Sequence, residues 1–129
     1  MVQAVKDTHE PKKGEMQVLY CVRGTPGWAL LPEIESLLVT PPIEKSTYGC
    51  VDLCKLLESY HKLVAITELT IVGLRTDVSI ISCALLFKSF LPDTRIIVDA
   101  SCCAGSTPEK HLRALNAMRA CMVTIENER

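Results

Sequence analysis

A chain of 129 residues, 48% hydrophobic and 5% aromatic, holds the material for one aliphatic core, and 14 basic against 15 acidic residues leave a formal net charge of −1. That length suits a single α/β domain with a sheet of about four or five strands. The charges form no block of one sign, which excludes the usual footprints of nucleic acid or an anionic membrane as partners.

The polar start MVQAVKDTHEPKKGE is not a secretory signal, and no apolar run approaches the roughly 20 residues of a membrane span, so a cytoplasmic protein is expected. Seven cysteines, an odd number, fit reduced thiols in that compartment. Cys102 and Cys103 are adjacent, and Cys50 with Cys54 has no second pair, so a structural zinc site of two cysteine pairs is not expected.

In chain order, Val2 to Lys6 reads as the end of a strand, followed by Asp7, Thr8 and His9. In extended geometry Asp7 and His9 share a face, where they can hold a divalent metal or a substrate; a solvated strand end with a turn-forming aspartate satisfies the same spacing. EPKKGE is a polar turn, Gln17 to Val22 a short extended piece, and RGTPGW a tight loop. ALLPEIESLL carries Leu31, Ile34, Leu37 and Leu38 at helical spacing, until Thr40, Pro41 and Pro42 stop it. Ile43 to Lys45 is a short edge strand, and TYGCVDLCKLLESYHKL a second amphipathic helix ending near His61.

ITELTIVGLRTDVSIISCALLFKSF (66–90) reads as a strand covered on both faces, broken at Gly73, turning into a helix capped by Thr76. Ser79 then lies in the first helical turn, where unpaired N–H groups favour an anionic nucleophile or an oxyanion; a first-turn serine serving only local hydrogen bonds fits the pattern too. TRIIVDA is a further buried strand, SCCAGS a loop, and Thr107, Pro108 and Glu109 open a helix running to about Ala120, with CMVTI as the last strand. Strand, helix, strand, helix, strand is the alternation of a parallel sheet, whose ligands bind beyond the carboxyl ends of its strands. Asp99 at one such end is expected to cap its own loop. Neither GxGxxG, GxxxxGK[ST] nor GxSxG occurs.

VKDTHE, YCVRGTPGW, IEKSTYGCVDL, VGLRTDVSIISCALL and IIVDASCCAGSTPEKHLRALNAM, in that order, resemble the isochorismatase-like cysteine hydrolases, the group that includes nicotinamidases, over nearly the whole chain. The resemblance implies a three-layer αβα fold with a parallel, Rossmann-like sheet of six strands. It implies hydrolysis of amide or related C–N bonds in a small amide or carbonyl compound by an aspartate, lysine and cysteine triad. It places the lysine at Lys45, the nucleophile at Ser79, and a non-proline cis peptide at Leu74 and Arg75, beside the oxyanion hole. It also implies a divalent metal such as zinc at Asp7 and His9, with the third ligand position at Tyr20; two protein ligands make a weak open site, so no resident cofactor is expected.

The departures carry as much weight as the match. Serine stands where the family has its cysteine, and a hydroxyl is a poor nucleophile near neutral pH without a base. The family's first strand, with its DxQxxF-type segment and triad aspartate, has no counterpart here, so residues 1–129 are expected to form a single, N-terminally truncated domain. Cys83 lies one helical turn beyond Ser79, about 6 Å along the axis, and is expected in the core. Loss of a central strand exposes two sheet edges, which predicts marginal stability or a homo-oligomer closed through that gap.

Overall fold

A computed structural model describes residues 1–11 and 20–129. These fall into two compact units, Met1–Thr47 and Tyr48–Arg129, each with a parallel sheet of its own. Most of the expected EPKKGE turn and the start of the expected extended piece, Gln17 to Leu19, lie outside the described residues.

The first unit contains β1 (Val5–Asp7), a single helical turn α1 (Pro32–Glu35) and β2 (Ile43–Lys45). β1 and β2 pair in parallel, with Val5 opposite Ile43 and Asp7 opposite Lys45. The ladder continues where Thr8 N–H donates to the Lys45 carbonyl at 2.8 Å, and beyond it His9 bridges to Val22. The helix expected over ALLPEIESLL is cut to four residues. Leu31, Ile34 and Leu37 are exposed and none of the four helical residues is buried, so the apolar stripe lacks the packing that sustains a helix beyond its first turn.

The second unit runs α2 (Val51–Leu63), β3 (Glu68–Leu74), a π-helical turn (Thr76–Ile80), α3 (Ile81–Phe90), β4 (Arg95–Ala104), α4 (Pro108–Ala120) and β5 (Thr124–Glu126). Its three strands are parallel in the order β3-β4-β5, with Ile71 opposite Val98 and Val98 opposite Ile125. The core is aliphatic, as the composition implies: Ala84 and Phe87 of α3, Ile96 and Val98 of β4, and Leu115 and Met118 of α4 are buried. α4 starts where its sequence says, with Thr107 Oγ1 accepting from Lys110 N–H at 3.2 Å and Pro108 in the first turn. At the far end of α2, Ile66 N–H donates to His61 Nδ1 at 2.9 Å, which shapes the turn into β3.

Three local expectations are corrected. β3 is not covered on both faces: Glu68, Thr70, Val72 and Leu74 are exposed on one face, while Leu69, Ile71 and Gly73 alternate with them half-buried on the other. SCCA is strand rather than loop, because after an irregularity at Ile71/Gly73 β4 resumes pairing, with Cys103 opposite Gly73 and Ala104 opposite Leu74. Thr76 does not cap the helix; Arg75 holds the cap position and the Thr76 side chain is turned inward, fully buried. Among the described residues no helix is long and apolar enough to cross a membrane.

Candidate functional site

Three candidate residues are in the first unit. Parallel pairing sets Asp7 and Lys45 side by side on neighbouring strands, and Lys45 Nζ donates to Asp7 Oδ1 in an ion pair. The lysine side chain is 7% exposed and the Asp7 side chain 33%, so the pair is covered on the lysine side and reached by water on the carboxylate side. The same ammonium donates to the Thr47 carbonyl at 2.9 Å. His9 follows two residues after Asp7; its ring meets Tyr20 edge-on, with centroids 5.2 Å apart. Between them Thr8 is buried, its hydroxyl accepting from the Trp28 indole N–H at 2.9 Å, while Lys6 Nζ lies 3.3 Å from the centre of the Trp28 ring. Arg23 bridges Glu10 at 2.8 Å and Glu44 at 2.6 Å. A cavity of about 500 Å³ opens onto this segment, with His9, Arg23 and Lys45 among its walls. Cys21, whose carbonyl accepts from His9 N–H, has its thiol pushed up by burial and by the Asp7 charge, against a smaller opposing pull from Lys45.

Asp7 and His9 are the two donors that the sequence singles out for a metal. The Asp7 carboxylate is paired with an ammonium, and among the described residues no group of three His, Cys, Asp or Glu side chains is placed to hold an ion. This donor set does not fit a divalent cation.

Ser79 and the Leu74–Arg75 pair belong to the second unit. The peptide bond between Leu74 and Arg75 is cis. The next residues wind as a π-helical turn, in which Val78 N–H and Ile80 N–H both donate to the Arg75 carbonyl at 3.1 Å. Such turns recur at functional positions, since the extra residue per turn re-aims the side chains it carries. Ser79 is half-buried on this turn. The expected row of outward-pointing N–H groups is therefore reduced by two, because Arg75 O accepts them internally.

The turn is tied to the segment following β4. Thr76 Oγ1 and His111 Nδ1 are 2.7 Å apart, Asp77 Oδ1 accepts from Ser106 N–H at 2.7 Å, and Arg75 reaches the Ser106 hydroxyl at 3.5 Å. The Ser106 amide holds the Asp77 carboxyl below its ordinary range. Sequence reasoning missed His111, although TPExH sets it one helical turn beyond the Thr107 cap. It also missed Trp28, whose contact with Thr8 spans 20 residues and leaves no local signal. Cys83 is in the core, with its thiol 3.7 Å from the Tyr48 carbonyl. Asp99 is within β4 rather than at a strand end, so it caps no loop; its carboxylate accepts from Ser101 N–H and Oγ of the same strand and from Asn127 beyond β5.

The isochorismatase domain model matches residues 2–128. Among solved structures, a nicotinamidase/pyrazinamidase from Bacillus subtilis aligns over 95% of this chain and 73% of its own, at 20% identity and a TM-score of 0.73. The pyrazinamidase of Pyrococcus horikoshii in complex with zinc aligns over 99% and 75%, at 20% identity and 0.74. PnC1 from L. infantum in complex with nicotinate aligns over 82% and 58%, at 14% identity and 0.69. At these identities the structures establish a shared parallel α/β fold. No curated protein matches the chain.

Proposed function

Because the chain belongs to the isochorismatase domain family, we propose that it is an isochorismatase-like hydrolase homologue with its C–N bond hydrolysis impaired, retaining affinity for a small amide or carbonyl compound. The observation that carries this reading is the Lys45–Asp7 ion pair. An ammonium already engaged by a carboxylate is poorly placed to support charge at a reacting carbonyl, and Ser79 supplies a hydroxyl where a thiolate is the effective nucleophile. The nicotinate in the L. infantum structure makes pyridine carboxamides the first compounds to try. The test is an assay of nicotinamide and simple amides with the native chain and with Ser79→Cys. Absence of turnover by the native chain, with binding of the amide detected by calorimetry, is expected. Turnover by the native chain, lost in Ser79→Ala and Lys45→Ala, overturns the impaired reading and makes the chain a serine amidase.

A second reading, a non-catalytic module that pairs with a longer relative or a second copy, is favoured by β3. Its exposed residues Val72 and Leu74 are apolar, and β4 is its one strand neighbour among the described residues. Sedimentation of the chain alone and mixed with a full-length homologue tests it: a monomer when alone, and in the mixture no species beyond those each protein shows by itself, remove this reading.

A further inference from the structure

The geometry points to Lys45 as the built-in cation of the Asp7–His9 position: its ammonium stands where a divalent ion would bind, and excludes one while the amine is there. This rests on reading Asp7, His9 and Lys45 as one site, and does not depend on whether the chain turns over amides.

The pair follows from the backbone. Asp7 and Lys45 are register partners in a parallel ladder, and the Thr8 amide to the Lys45 carbonyl fixes the same two segments one residue further on. The lysine side chain is almost fully buried, so it cannot swing into solvent to vacate the carboxylate without leaving protein contacts, among them the Thr47 carbonyl. A divalent ion arriving at Asp7 would meet a positive charge at hydrogen-bonding distance from the oxygen it needs, and like charges at that separation repel. By strand alternation His9 lies on the same side as Asp7, which leaves one carboxylate and one imidazole as donors once the amine is gone.

Binding of Co²⁺ and Zn²⁺ to the whole chain, read by calorimetry and by the visible absorption of Co²⁺, tests this. The native chain and Lys45→Arg, which keeps the charge, are expected to show no Asp7-dependent uptake. Lys45→Met is expected to bind Co²⁺ at least roughly tenfold more tightly than the native chain, as removal of a like charge from a metal position implies. Adding Asp7→Asn to Lys45→Met should abolish the gain. If Lys45→Met does not fold, as judged by circular dichroism, Lys45→Gln replaces it. Stoichiometric uptake of either ion by the native chain, lost in Asp7→Asn, overturns the inference. So does the absence of any gain in both neutral variants. Amide turnover is measured separately, so an active chain that takes up no metal contradicts the proposed impairment and leaves this inference standing.

Discussion

Thr76 and His111 are bonded to one another, hydroxyl to Nδ1 at 2.7 Å, and this contact joins the π-helical turn carrying Ser79 to the second turn of α4. Thr76 has no exposed surface, so loss of the imidazole leaves a polar atom in the core without that partner. His111→Ala should therefore cost about 1–3 kcal/mol, the range for a stranded buried hydroxyl. Thr76→Val combined with His111→Ala should cost less than the sum of the single changes. Urea denaturation of the four proteins gives the coupling; additive losses would mean that the contact carries no energy of its own.

Gly105 sits against the same histidine. A Cβ built there comes within 2.8 Å of His111 Cβ and 2.9 Å of its Cα and backbone nitrogen. Because two of these are main-chain atoms of α4, they cannot rotate away. Gly105→Ala should destabilise by about 1–3 kcal/mol, and the shift should appear in the ¹⁵N resonances of Ser106 to Leu112 before it appears elsewhere. An alanine variant of native stability would contradict the close approach.

Three carboxylates set an acid limit. Asp77 is held below its ordinary range by the Ser106 amide, Asp99 by the Ser101 hydroxyl and then Asn127, and Glu109 by its own amide in the first turn of α4. A carboxyl whose folded value is depressed stabilises the native state above its unfolded value, near pH 4, and that contribution is lost as pH falls through the folded value. The urea midpoint should be level above about pH 5 and fall below about pH 4. Asp77→Asn should lower the plateau and flatten the acid limb, and an unchanged slope would rule Asp77 out as a contributor.

Thiol reactivity should divide the seven cysteines. Cys102 and Cys121 are exposed, whereas Cys50, Cys54 and Cys83 are buried, and desolvation pushes the Cys54 thiol up to about 11. Since the thiolate is the reactive form, alkylation near pH 8 should mark Cys102 and Cys121 first and reach Cys54 only on unfolding. Peptide mapping after timed labelling checks the order. Early labelling of Cys54 in the folded protein would show that the α2–α3 contact opens readily.

What the sequence made legible was what local chemistry decides. α4 is announced by Thr107, Pro108 and Glu109, and the strands around Ile71 and Val98 by their β-branched runs. The strand extension through Cys103 was not legible, because it depends on a partner, Gly73, brought alongside from 30 residues earlier. Thr76 was misread for a similar reason: a threonine after a strand is a good cap, but a histidine from α4 offered its hydroxyl a buried partner. At the candidate site the spacing and the resemblance gave Asp7 and His9 as a pair and Lys45 apart from them. That two of them neutralise each other follows from a register spanning 38 residues, which no window along the chain contains.

The guanidinium of Arg95 reaches Glu68 at 2.7 Å on one side and Glu126 at 3.0 Å on the other. All three side chains are exposed, so little stability is expected from them. Their value is alignment. Arg95 is level with Glu68, but Glu126 is level with Asp99, so one side chain measures off two different offsets across three strands. A slip of β5 by one residue would carry Glu126 about 3.3 Å along the sheet and turn Val123 outward. Arg95 therefore acts as a gauge that rejects misaligned sheets, and its removal should show in how accurately the chain refolds more than in how firmly the finished fold holds.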